Sequence, residues 1–254
     1  MEEIPRRLSE NFRSRNEGKI TRNRSVRPND YHFPAIEAVD MASFPIGVKD
    51  LVFSTLAIIA LEVIAALFIY PALSSPLPAL ALTRIAQIGT LFLVLSLNHR
   101  TAAAIGLGRN QIISGLSRGL FWSLIFGLCT LAGMAAFYLA GTNPISFVQT
   151  ALPRSGGHLV LFFVTGGLVA PVAEEVFFRG IVYAFLRRWG IPAAIIGTTL
   201  IFVALHTFRH GLPITQTVGG IVFCAAYEKE RKLMTPIVIH ALGNTAIFAL
   251  SAIA

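Results

Sequence analysis

The chain has 254 residues, of which 54% are hydrophobic and 13% charged, and its mean hydropathy is +0.67. Soluble domains carry about 25% charged residues, so the composition excludes a soluble enzyme and indicates an integral membrane protein. The formal net charge of +8 would suit a nucleic acid, but the basic residues lie mainly at the ends of apolar segments, where they set membrane orientation. We therefore expect membrane lipid, and not nucleic acid, as a partner.

Residues 1–45 are polar and mixed in charge, which predicts a flexible cytoplasmic tail. Residues 46–254 are predicted to form a membrane-embedded core of the all-α class, a polytopic bundle of about seven transmembrane helices. Hydropathy places these helices at 51–73, 84–98, 112–140, 158–186, 191–208, 213–228 and 234–254.

Most of the 21 basic residues fall in the tail and in loops that seven crossings place on the same side as the tail. Loops rich in Lys and Arg stay in the cytoplasm. The pattern predicts a protein of the cell (plasma) membrane with a cytoplasmic N-terminus.

Acidic residues are rare within the predicted core. No Asp follows Asp50, which excludes an aspartyl intramembrane protease, and Glu62 and Arg84 fall deep in the first two predicted helices. Ionisable groups at such depth are expensive when alone. We expect Glu62 and Arg84 to pair across the two helices.

The adjacent acids Glu174 and Glu175 lie in the fourth predicted helix, and Glu175 is four residues before Arg179. Glu175 and Arg179 share a helix face and are predicted to pair, whereas Glu174 points about 100° away. Pro171 removes a backbone hydrogen bond one turn earlier, which predicts a kink and a polar pocket there.

Two later helices carry polar groups that lipid would not tolerate. One contains Phe202 and His206, and the other contains His240 and Asn244 on one face. A carboxylate and a His can activate water, and a second His with an amide can donate hydrogen bonds to the oxyanion of a tetrahedral intermediate. This set of residues is typical of a peptidase.

The three motifs, in this order, resemble those of the CAAX prenyl endopeptidase and bacteriocin-processing (CPBP, or Abi) family of intramembrane proteases. They read as EExxxR at Glu174–Arg179, FxxxH at Phe202–His206 and HxxxN at His240–Asn244. The resemblance implies that Glu174 and His206 activate the water, that His240 and Asn244 stabilise the oxyanion, and that Glu175, Arg179 and Phe202 are supporting residues. It also implies a peptide or protein substrate, lipidated or membrane-anchored.

The family is described both as metalloprotease and as glutamate protease. Zinc would use Glu174, His206 and His240 as ligands, but the chain contains no HExxH motif. We therefore favour metal-free catalysis without a cofactor.

Three other readings remain. A catalytically silent adaptor or bacteriocin-immunity protein would reuse the fold for binding, and a proton-coupled transporter would use Glu62, Glu174 and Glu175. The run from Gly115 to Gly119 matches the GxSxG pattern, so a rhomboid-like dyad of Ser117 and His206 is conceivable, although this elbow requires a preceding strand. The complete motif set favours the protease.

Overall fold

The computed structural model describes residues 46–206 and 213–253, and within these ranges the chain is helical and contains no β-strand. The tail predicted for residues 1–45 lies outside the described residues. The described part contains seven main helices: α1 Val48–Ala72, α2 Pro76–Leu97, α3 Arg109–Leu139, α4 Gly156–Trp189, α5 Ile191–His206, α6 Ile214–Glu230 and α7 Met234–Ile253.

Five of these helices are long and apolar enough to cross a membrane: α1, α2, α3 with its preceding turn, α4 and α7. The other two, α5 and α6, have 16 and 17 residues, somewhat fewer than the 20 or so residues of a typical crossing. Large apolar side chains such as Leu67, Leu124 and Leu139 are exposed. These features confirm the predicted all-α polytopic membrane bundle.

The start of α2 was predicted wrongly. Hydropathy placed it at residue 84, but the helix begins at Pro76. Ser75 precedes it, and the Ser75 hydroxyl accepts a hydrogen bond from the Leu77 N–H at 3.4 Å. Pro76 and Pro78 occupy the first turn, where helical N–H groups have no intrahelical partner and proline is tolerated.

The predicted pair between α1 and α2 is confirmed. Arg84 Nη1 lies 3.0 Å from Glu62 Oε1. Sequence reasoning missed Gln87, which accepts from Arg84 Nη1 at 2.7 Å and donates to Glu62 Oε1 at 2.8 Å. The three side chains form one polar cluster between the helices.

The GxSxG pattern is a helix-packing motif. A Cβ atom on Gly115 would lie 2.8 Å from Met234 Cβ, and one on Gly119 would lie 2.6 Å from Val238 Cβ. The two glycines therefore let α3 approach α7 closely. Ser117 is exposed on α3 and donates to the Ser114 carbonyl, so it lacks the strand-to-helix elbow of a nucleophile.

A cluster of four polar residues ties the end of α4 to the end of α6. Glu228 accepts hydrogen bonds from Tyr183 Oη at 2.7 Å, from Arg187 Nε and Nη2 at 2.9 to 3.1 Å, and from Arg231 Nη2 at 2.7 Å. Hydrogen bonds between charged groups are among the stronger ones in proteins. The cluster helps to fix the register of α4 against α6, and with it the positions of the charged residues earlier in α4.

Candidate active site

The two acids lie in a regular stretch of α4, Ala170–Phe177, between the π-helical turns Thr165–Val169 and Phe178–Tyr183. The Ala170 N–H donates to the Thr165 carbonyl, five residues back. Pro171 follows at once and has no N–H to donate. The irregularity that Pro171 predicts is thus present as a π-helical turn just before Glu174.

Glu175 and Arg179 are fully buried and paired, as predicted, at 2.8 Å between Glu175 Oε1 and Arg179 Nη1. Arg179 Nη2 also donates to the Gly220 carbonyl at 3.2 Å. The same Glu175 oxygen lies 2.8 Å from His240 Nδ1. Sequence reasoning missed this second contact because it joins residues 65 positions apart, and no local spacing signals it.

Aromatic rings surround Arg179. Its guanidinium carbon lies 5.9, 5.0 and 5.1 Å from the ring centroids of Phe178, Phe202 and Phe223. Such cation–π contacts stabilise a charge that water does not reach. Phe223 was missed from the sequence, and its ring stacks on His240 with the centroids 4.7 Å apart. The ring centroids of Phe202 and His206 lie 4.3 Å apart.

Glu174 faces the two histidines. Its Oε2 atom lies 3.7 Å from His206 Nε2 and 3.8 Å from His240 Nε2. The Glu174 side chain is 14% exposed and that of His206 is 31% exposed, so this point is partly open at the surface of the bundle. The predicted separation of the two carboxylates is therefore observed, since Glu175 is enclosed and Glu174 is accessible.

Hydrogen bonds fix the orientation of both imidazole rings. His206 Nδ1 lies 2.7 Å from the Phe202 carbonyl, which can only accept, so Nδ1 carries the hydrogen. His240 Nδ1 likewise donates to the Glu175 carboxylate. Both Nε2 atoms are left to face Glu174, where each can accept a hydrogen bond or carry a second proton.

Asn244 lies one turn after His240 on α7. Its Nδ2 atom donates to the Gly166 carbonyl, at 2.8 Å, in the first π-helical turn of α4. The structure thus brings all four predicted catalytic residues to the region where α4, α5 and α7 meet.

Glu174, His206 and His240 are chemically suitable zinc ligands, and ligand atoms about 2.1 Å from a tetrahedral zinc lie about 3.4 Å from one another. The two Nε2–Oε2 separations are 3.7 and 3.8 Å. Among the described residues, no group of three or more His, Cys, Asp or Glu side chains is placed to hold a metal ion.

Comparison with known protein families matches the part of the chain that contains the candidate site. Residues 156–246 match the family of type II CAAX prenyl endopeptidases described as Rce1-like, and all three motifs lie inside the match. This match supports the resemblance to the CPBP family that the three motifs indicate. The matched segment begins at the start of α4 and extends into α7.

Three curated relatives are similar to the chain. YdiL of Bacillus subtilis (strain 168), whose name is that of a membrane peptidase, is 26% identical over 145 residues, 57% of each chain. The membrane-embedded CAAX protease MroQ of Staphylococcus aureus (strain USA300) is 33% identical over 93 residues, 34% of this chain and 36% of MroQ. The UPF0177 protein YaiH of Lactococcus lactis subsp. lactis (strain IL1403) is 27% identical over 106 residues, 42% of this chain and 44% of YaiH.

The matched part of this chain covers between about a third and somewhat more than half of each of these relatives. No solved structure matches the chain at the level of significance that these relatives reach.

Proposed function

We propose that the protein is an intramembrane endopeptidase that hydrolyses a peptide bond with water activated by Glu174 and His206. The observation that carries this proposal is the convergence of Glu174 Oε2 with the Nε2 atoms of His206 and His240. The Glu174 and His206 side chains are partly exposed, and all three residues lie within the segment that matches the Rce1-like family. Together they offer a base, an orienting group and an oxyanion donor.

In the first step, a water molecule lies between Glu174 and His206 and loses a proton to Glu174. Its oxygen forms a bond to the carbonyl carbon of the substrate, and the carbonyl electrons move to the oxygen. His206 holds the water through Nε2, because Nδ1 is committed to the Phe202 carbonyl.

The tetrahedral oxyanion is stabilised by His240 and Asn244. His240 donates from Nε2 as an imidazolium, and Glu175 at 2.8 Å from Nδ1 stabilises its positive charge. A proton on His240 also balances the charges of the site, since Glu174 and Glu175 are negative and only Arg179 offsets them. A net charge in a membrane interior is unfavourable. Asn244 donates from its remaining amide hydrogen.

The intermediate collapses when its C–N bond breaks. The leaving amine takes the proton held by Glu174, so the enzyme returns to its starting state. The products are a carboxylic acid and an amine, and no covalent enzyme intermediate forms. This route uses residues of the chain alone, and we propose that catalysis is of the glutamate type without metal.

The substrate is a peptide or protein held in the membrane by a lipid group or an apolar segment. The aromatic rings of Phe202 and Phe223 beside the histidines favour an apolar group next to the cleaved bond. The name of MroQ, a membrane-embedded CAAX protease, supports the same class. We place the protein in the cell membrane with its N-terminus in the cytoplasm, in accord with the distribution of basic residues.

The test uses the full chain purified in detergent and incubated with a panel of lipidated and membrane-anchored peptides. Mass spectrometry of the products identifies any cleaved bond. Wild-type protein should cleave at one position, and Glu174→Gln should not. Glu62→Gln is the matched control, because it removes another membrane-embedded carboxylate that lies on α1 and pairs with Arg84. Folded wild-type protein that cleaves no member of the panel would favour the adaptor function.

A further inference from the structure

Two helices of the protein contain the same backbone irregularity. In α4, the π-helical turn Thr165–Val169 is followed by Pro171, and in α1 the π-helical turn Ala65–Ile69 is followed by Pro71. In each turn the residue before the proline donates its N–H to a carbonyl five residues back: Ala170 to Thr165, and Tyr70 to Ala65.

Pro171 leaves the Gly166 carbonyl without a backbone donor. In an α-helix this carbonyl would accept from Ala170, but that N–H is bonded to Thr165. In a π-helix it would accept from residue 171, which is a proline and has no N–H. An unpaired backbone carbonyl inside a membrane is costly, so this carbonyl needs a donor from another helix.

Asn244 supplies that donor, with Nδ2 at 2.8 Å from the Gly166 oxygen. A carbonyl can only accept, so the contact determines which end of the Asn244 amide faces α4. The helices are close at this level, since a Cβ on Gly166 would lie 3.0 Å from the Phe248 ring and one on Gly167 would lie 2.9 Å from Thr245 Oγ1. Little room is left for the amide to turn.

We propose that Pro171 is a positioning residue for Asn244. Because Pro171 leaves the Gly166 carbonyl without a backbone donor, this carbonyl accepts a hydrogen bond from the Asn244 amide nitrogen. The contact fixes the orientation of the amide, and the second amide hydrogen is then available to the oxyanion. This inference rests on the proposed function. Pro171 lies in none of the three motifs. The inference gives it a role in stabilising the transition state, which it exerts through Asn244.

The test is a double-mutant cycle of Pro171→Ala and Asn244→Ala in the full chain, measured both by melting temperature and by peptide cleavage. The Pro171→Ala variant has an N–H at this position that can donate a hydrogen bond to a backbone carbonyl of the π-helical turn. Asn244→Ala should therefore lower the melting temperature less in the Pro171→Ala background than in wild type. Non-additivity of this kind is the signature of a shared interaction.

For peptide cleavage, each single variant should lower kcat by roughly tenfold to a hundredfold with little change in KM. This loss is equal to, or somewhat smaller than, the loss seen when one oxyanion donor is removed. The double variant should be no slower than the slower single variant. Pro71→Ala is the matched control, because it alters the equivalent proline in α1. Its effects should add to those of Asn244→Ala, and its kcat should equal that of wild type.

Additive effects of Pro171→Ala and Asn244→Ala on both measurements, or a wild-type kcat for Pro171→Ala, would overturn the inference. If Pro171→Ala does not fold, Asn244→Leu carries the test, because leucine is similar in shape and has no hydrogen-bond donor for the Gly166 carbonyl. A wild-type melting temperature for Asn244→Leu would then refute the contact, and the inference with it. If the wild type cleaves no peptide, the proposed function fails, while the melting-temperature cycle still tests the contact.

Discussion

His240 Nδ1 and Arg179 Nη1 both lie 2.8 Å from the same oxygen of Glu175. Glu175 therefore joins the buried ion pair of α4 to the imidazole that faces Glu174. The sequence gives Glu175 a purely local partner at i, i+4, but the structure gives it a second partner on α7. This dual contact changes what substitution of Glu175 is expected to do.

Glu175→Gln should reduce both stability and turnover. The amide cannot neutralise Arg179 or stabilise a positive His240, and a stranded buried charge destabilises a protein by about 3 to 5 kcal/mol. We expect a lower melting temperature and a loss of kcat that persists at temperatures where the variant is folded. Full activity in the folded variant would show that Glu175 does not act on His240.

Glu174→Gln should leave the fold intact and abolish measurable cleavage. An amide cannot take the proton of water, and general-base catalysis contributes roughly 10² to 10⁴ in rate. The partial exposure of the Glu174 side chain makes the change in stability small. Melting temperature and peptide cleavage are measured on the same preparation, and a Gln variant with wild-type turnover would contradict the assigned role.

Glu62→Gln and Arg84→Gln should each lower thermal stability while leaving the kcat of folded protein unchanged. Their side chains are 44% and 24% exposed, so we expect a loss of about 1 to 2 kcal/mol, between the values for surface and buried pairs. The melting temperatures of the two variants and of the double variant check this. Unchanged stability in all three would mean that the pair contributes nothing to the bundle.

Gly119→Val should destabilise the packing of α3 on α7. Even a Cβ at this position would lie 2.6 Å from Val238 Cβ and 3.0 Å from the Thr235 carbonyl, and overpacking typically costs about 1 to 3 kcal/mol. Ser117→Ala is the control from the same motif and should retain wild-type stability and cleavage. Loss of cleavage in Ser117→Ala, with the fold preserved, would instead support a serine mechanism.

Chelation should leave peptide cleavage unchanged. Protein treated with a strong chelator and dialysed into metal-free buffer is compared with untreated protein, and both are analysed for bound zinc. Stoichiometric zinc, together with activity that is lost on chelation and restored by zinc, would contradict metal-free catalysis and assign Glu174, His206 and His240 as ligands.

Contacts within one helix, and contacts demanded by burial of charge, could be predicted from the sequence. The Glu175–Arg179 pair follows from helical periodicity, and the Glu62–Arg84 pair follows from the cost of lone charges in lipid. Hydropathy located the seven helices but missed the proline-rich start of α2. Prolines in the first turn of a helix give the same sequence signal as prolines in a loop.

The remaining contacts depend on how distant helices pack. Phe223 on His240, Gln87 between Glu62 and Arg84, and Asn244 on Gly166 have no pattern in the chain that distinguishes them from ordinary apolar or polar helix positions. The role of Gly115 and Gly119 was hidden for a different reason, since a pattern associated with catalysis also allows close packing.

Two of the hydrogen-bonded links between α4 and α6 have a consequence for insertions and deletions. Arg179 contacts Gly220 and Arg187 contacts Glu228, so the links are separated by eight residues in each helix. Adding or removing one residue between them in either helix would turn the following part by about 100° and break one link. Length variation should thus be excluded from both eight-residue stretches, whereas the loop between α3 and α4 can change length without disturbing either link.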